Sequence, residues 1–334
     1  KALAERTGDP HALGLATLWA GGAAWLRGDW KICTDLTRQA ELIFRQQCVG
    51  VANERVTSEV FMLAALVWMG ELHKHEELFP QLLQEARGRG DRYAETTLIL
   101  LTYRHLLLLA ADEPERAEQE IEYAMSRWSQ EGFHLQHFWA MFGRIEIALY
   151  EDRPDRAWRL ATEMWPALAK SFLLRLQTVH IFARHLRARC ALALLANEDA
   201  GERTPDMPSR RSLVRAIERD IRAIEHESAD WGRGLAGLLR AGLSTAVGKP
   251  RAATDALRMA AQTLDASSMH LFASAARYRL GQMNDDGKSQ DFGENARARL
   301  RDCGVTRVDA MVNVLAPGAW RRTDAVELAL GHPM

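Results

Sequence analysis

One punctuation pattern recurs along the chain at a nearly fixed interval. It is read in GDWKICTDLTRQAE (28–41), GELHKHEELFPQLL (70–83), DEPERAEQEIEYAM (112–125), DRPDRAWRLATEMW (152–165) and GKPRAATDALRMAA (248–261). The first residues, Gly28, Gly70, Asp112, Asp152 and Gly248, are spaced by 42, 42, 40 and 96. The last interval reads as two repeats of about 48 residues with a degenerate junction near Asn197. A period of this length marks an array of one supersecondary unit, which buries its apolar face only by stacking on copies of itself.

Each column of the pattern has a physical reading. Gly or Asp in the first suits the end of one helix and a tight turn. Pro114, Pro154 and Pro250 in the third fit the first turn of the next helix, where proline loses no hydrogen bond. Three residues later stand Cys33, Ala117, Ala157 and Ala253, small enough for two helices to approach closely, with His75 departing from the column. A second joint recurs half a repeat later, at 48–54, 88–95, 130–137 and 266–273. Val60, Leu63, Ala64 and Val67 show the i, i+3, i+4, i+7 stripe of an amphipathic helix, and no segment alternates as a strand would.

The expected fold is therefore all-α: a tetratricopeptide-like, right-handed α-solenoid of about seven long helical hairpins. The hairpins are placed at roughly 10–47, 51–87, 92–130, 134–171, 174–229, 231–268 and 269–303. Residues 1–303 form the solenoid, with a polar, mobile loop at about 198–211 and a second loop at 283–293. Residues 304–334 supply a capping helix over 306–320 and a tail that frays after Trp320.

Net charge is −1 over 334 residues, so bulk charge points neither to nucleic acid nor to an anionic membrane. The longest apolar runs, 61–70 and 106–111, are too short to span a bilayer. Cys33, Cys48, Cys190 and Cys303 form no CxxC pair and suit buried free thiols in a reducing cytoplasm. The chain opens on Lys1 without a signal peptide and is expected to be a piece of a longer protein.

Three stretches imitate chemical motifs. GLSTAVGKP (242–250) resembles a phosphate loop, but five residues separate its glycines and Pro250 stands where a hydroxyl would meet Mg²⁺. Asp291-Phe292-Gly293 matches the kinase metal triplet without an HRD loop upstream, and reads instead as a loop and helix start. His134 and His137, in WSQEGFHLQHFW (128–139), are three apart, and His180 and His185 lie in the next unit. His134, however, repeats as His270, a place that needs no metal. The expectation is no catalytic constellation, no cofactor and no metal.

Trp25, Trp30, Trp68, Trp158 and Trp165 fall on apolar stripes and read as core. Arg104, Arg144, Arg184 and Arg187 lie on successive first helices, which line the concave face in solenoids of hairpins. With His137, also on a first helix, they are the candidate partner-binding residues.

Several stretches also carry a resemblance: FRQQCVGVANE (44–54), GELHKHEELFPQLLQEARGRGDRYAETT (70–97), RWSQEGFHLQHFW (127–139), ALYEDRPDRAWRL (148–160) and LAPG (315–318). In this order the chain resembles the C-terminal tetratricopeptide-like region of bacterial proteins that combine a serine/threonine kinase with a signal-transduction ATPase of the STAND type. The resemblance implies a non-catalytic sensor or docking arm that governs the ATPase, with a partner protein, or the protein's own domains, in the concave groove. Two alternatives keep the fold: an arm that binds a small-molecule effector, and a sensor of phage protein in a defence ATPase.

Overall fold

The computed structural model describes residue 6 and residues 8–201, 206–283 and 287–320. The expected fraying tail and the centre of the expected 198–211 loop lie outside the described residues. Among those described, the chain is an all-α helical-repeat solenoid of sixteen helices. Seven pairs follow one another: α1 (Pro10–Arg27) with α2 (Trp30–Gln47), α3 (Ala52–Met69) with α4 (Leu72–Gly88), and the two-part α5 (Arg92–Leu101) and α6 (Arg104–Ala110) with α7 (Pro114–Ser126). Then come α8 (Leu135–Tyr150) with α9 (Pro154–Lys170), α10 (Gln177–Asp199) with α11 (Arg210–His226), α12 (Asp230–Ala246) with α13 (Pro250–Ala266), and α14 (His270–Met283) with α15 (Gly287–Asp302). A short last helix, α16 (Val308–Leu315), closes the order. No helix among the described residues is long and apolar enough to cross a membrane.

The joints work as their residues dictate. Gly28 and Gly70 turn in the left-handed region, and Asp112 and Asp152 take the same conformation at φ 65° and 57°. Pro114, Pro154 and Pro250 open α7, α9 and α13. The small column is fully buried at Cys33, Ala117, Ala157 and Ala253. His75, its exception, is equally buried.

First helices such as α3, α8 and α10 are buried around most of their circumference, whereas second helices such as α7, α9 and α11 bury one stripe. The first helices thus form an inner layer and the second helices an outer one. The superhelix closes on itself, Trp30 at the start of α2 joining the first helices there. Trp30 meets Trp231 at 5.8 Å between ring centroids, and Trp68 stacks on Phe182 at 4.7 Å and on Phe272 at 5.6 Å. Tyr103 and Trp139, edge to face at 4.7 Å, join the same interior. The first hairpin therefore touches the sixth and the second touches the seventh.

Gly28 is where this closure is tightest. Its φ is 82°, and a Cβ there would lie 2.4 Å from Cδ1 of Trp231. Gly28→Ala combines left-handed strain with a clash against a buried indole, and is expected to cost about 2–4 kcal/mol in urea unfolding. A loss below about 0.5 kcal/mol would mean that the first and sixth hairpins do not meet here.

Three features differ from the sequence expectation. The 283–293 loop is shorter, because α15 already begins at Gly287 and carries Asp291–Gly293 inside it. Gly293 marks a helix crossing instead of a turn: its missing Cβ would lie 3.2 Å from Cα of Gly281 in α14. Trp158 and Trp165 are half-buried on α9, not core. Finally, the third hairpin's first helix breaks at Thr102–Tyr103, with Tyr103 at φ 58°. A bulky residue pays about 1–3 kcal/mol for that conformation.

Candidate functional site

The candidate arginines lie on first helices, as expected, but reach outward to acids of the second helices. Arg144 Nε donates to Glu118 of α7 at 2.9 Å. Arg187 grips Asp220 of α11 through Nε at 2.9 Å and Nη2 at 2.5 Å, and Arg184 adds Nη1 at 2.9 Å. Asp220 is fully buried between them, and the Arg187 guanidinium lies 3.5 Å from the ring centre of Trp165. Arg104 pairs with Glu76 of α4 and, at 3.4 Å, with Glu120 of α7. These residues pin the two layers together and do not line an inner groove. The reason is spatial: the inner face is filled with rings.

His137 sits in the first turn of α8, where its Nδ1 accepts the backbone N–H of His134 at 3.0 Å. Burial, then the neighbouring His134, lower its pKa. His134 Nδ1 in turn accepts from Trp128 Nε1 at 3.2 Å. WSQEGFHLQHFW is thus a capped joint. His180 pairs with Glu227 at 2.6 Å, and His185 is buried against Phe272, so the four histidines do not converge.

The interior holds a helical segment of the chain itself. Met311, Val312, Val314 and Leu315 of α16 are essentially fully buried. The segment packs on α8, α10 and α14. Its attachments are chiefly to backbone. Arg189 Nη1 donates to the Val314 carbonyl at 2.8 Å, and Arg279 Nε to the Ala316 carbonyl at 2.9 Å. Thr306 N–H donates to the Ala110 carbonyl at 2.8 Å, and Arg279 Nη2 reaches Oδ1 of Asn313 at 2.6 Å. Arg189 is completely buried and its Nη2 pairs with Glu146 at 2.7 Å, while His105 Nε2 bonds the other Glu146 oxygen at 2.9 Å. Burial alone would raise the Glu146 pKa; Arg189 and His105 outweigh it and hold the carboxyl below its ordinary value. Neither Arg189 nor Arg279 was a sequence candidate. In RHLRARC (184–190) nothing local separates the outward Arg184 and Arg187 from the inward Arg189.

Of the sequence candidates, Arg104 lines two cavities among the described residues. One, of about 400 Å³, lies between α4 and α7, with Phe79, Pro80, Leu83, Ile99 and Tyr123 among its walls. A second, of about 240 Å³, is bounded by His73, Glu76 and Cys303. Arg104 and Arg116 face both.

No family model and no curated protein matches this chain.

Proposed function

We propose that the chain is a non-catalytic interaction and sensor module, and that its interior receives a helical protein segment. In this reading it is the C-terminal regulatory arm of a bacterial signalling protein with kinase and STAND-type ATPase domains. The supporting observation is the seating of 305–320 inside the superhelix. Arg189 and Arg279 grip it by main-chain carbonyls, a mode of holding that depends little on the seated side chains. A partner helix, or one from the ATPase, that presents its last carbonyls in the same way competes for the same two arginines. It regulates only if it binds the emptied interior better than the occupied one.

The test uses a protease site engineered into the turn at Cys303–Gly304, cut after folding. A fluorescent peptide of residues 305–320 is expected to exchange into the nicked chain, and excess ATPase domain to displace it. A nicked chain that never exchanges peptide sinks the receptor reading. Exchange that the ATPase domain leaves untouched sinks the assignment of that partner. Kinase and phosphate-loop motifs encoded upstream of Lys1 are the matching genetic expectation.

A further inference from the structure

The crevice around Arg104 combines several features. The helix is broken immediately before Arg104, and the freed Thr102 carbonyl accepts a hydrogen bond from His75 Nε2 at 3.2 Å. Tyr103 at the break is left-handed, with φ 58°. Beyond the break, the Arg104 side chain is only 7% exposed, yet it borders both cavities. Its guanidinium lies 4.9 Å from the centre of the Phe79 ring. Nε and Nη1 are engaged by Glu120 and Glu76; among the described contacts none uses Nη2.

Charge and shape around Arg104 agree. The larger cavity is lined by Arg87, Arg104 and Arg116 against a single acid, Glu120. Arg87 keeps Glu95 at 2.7 Å and Arg116 keeps Glu113 at 2.9 Å, so those pairs do not need Glu120. Glu120 itself is held loosely, at 3.4 Å from Arg104 and 3.2 Å from Arg116, and it is partly exposed. It occupies the place an incoming oxyanion would take, between two guanidinium groups. Phe79, Pro80, Leu83 and Tyr123 supply an apolar wall beside that place. Small-molecule sites have this make-up: about 300–1,000 Å³, mostly apolar, with a few placed polar groups.

We propose that this crevice binds a small organic anion. Its phosphate or carboxylate displaces Glu120 and bridges Arg104 and Arg116, and its compact apolar body rests on Phe79, Pro80 and Leu83. The site lies between α4 and α7, away from the interior that seats 305–320, and the proposal stands independently of the helix-receptor reading. It does give an effector a lever, because α4, α6 and α7 all meet at the ligand.

Isothermal titration of the whole chain with phenyl phosphate and with benzoate is the test. Saturable binding with a Kd on the order of 0.1 mM is expected for at least one, and the stronger of the two identifies the oxyanion. Inorganic phosphate and phenethylamine are expected to bind at least about tenfold more weakly, because one lacks the apolar body and the other the negative charge. Arg104 itself is too buried to remove safely, so the rim carries the genetics. Arg116→Ala is expected to weaken binding about tenfold, and Glu120→Gln to strengthen it several-fold by removing the resident competitor. A merely structural Glu120 would not give that second result. Absence of saturable binding in both the parent and Glu120→Gln overturns the proposal. So does binding that neither variant changes, or equal affinity for phenethylamine.

Discussion

Arg189→Met is expected to lower the unfolding free energy by about 3–5 kcal/mol, the largest effect of any single change outside the joints. Two groups lose a partner at once, and a helix loses an anchor. Glu146, which is 2% exposed, keeps only His105; the Val314 carbonyl loses its donor; and α16 loses its grip on α10. A buried carboxylate stripped of its counter-charge dominates the sum. The double variant Arg189→Met/Glu146→Gln separates the contributions. Glutamine removes the stranded charge and still gives His105 a partner, so roughly half of the loss should return. The remainder is the unpaired Val314 carbonyl, at about 1–3 kcal/mol. Urea unfolding measures both, and hydrogen exchange is expected to speed up in 308–315 before the rest of the core. A single variant within about 1 kcal/mol of the parent would show that the Glu146 network is not closed.

The repeat was legible because its signals are local. A Gly or Asp ending one helix, a Pro opening the next and a small residue at the crossing can each be read within ten positions. Gly28, Pro114 and Ala117 behave as those rules require. Closure of the superhelix was not legible, because Trp30 and Trp231 meet although four hairpins lie between theirs, and no local rule pairs them. A faint signal existed: Trp68, Tyr103, Trp139, Phe182, Trp231 and Phe272 supply an inward ring from every first helix after the first. Among the described residues, that face carries rings and seats the 308–315 helix. Arg104, Arg144, Arg184 and Arg187 reach outward to acids on the second helices, whereas the inward Arg189 is received by Glu146 and the Val314 carbonyl. The break at Tyr103 had no sequence mark at all. RYAETTLILLTYRHLLLLA (92–110) has neither Gly nor Pro, so the kink is imposed by tertiary packing.

Stability is expected to fall more steeply between pH 7 and pH 5 in Glu59→Gln than in the parent, by about 2 kcal/mol. Two histidines drive the loss. Burial, then the charge of Arg104, pushes the His75 pKa down to about 3, against an ordinary 6.5. Burial, then Arg189, puts His185 well below its ordinary value, and its Nε2 has no hydrogen-bond partner. Both stay neutral when folded and take up a proton when unfolded. In the window between about pH 6.5 and pH 3 the unfolded chain therefore binds more protons at His75, which contributes a loss of about 2 kcal/mol at pH 5, and His185 adds to the loss in the same direction. Glu59 acts in the opposite sense. Burial raises its pKa to about 7, Arg55 and Arg45 pulling it down and Glu41 and Glu85 pushing it up. Its folded form holds a proton that the unfolded chain releases above about pH 4.5, so its contribution grows as pH falls and offsets about 2 kcal/mol of the histidine loss. Glu59→Gln keeps the shape and removes the titration, which leaves the histidine slope exposed. Urea unfolding at pH 7, 6 and 5 reads the two slopes directly. Parallel slopes in the parent and Glu59→Gln would mean that Glu59 is ionised in the folded chain, held by Arg55 at 3.6 Å, and that burial does not control its proton.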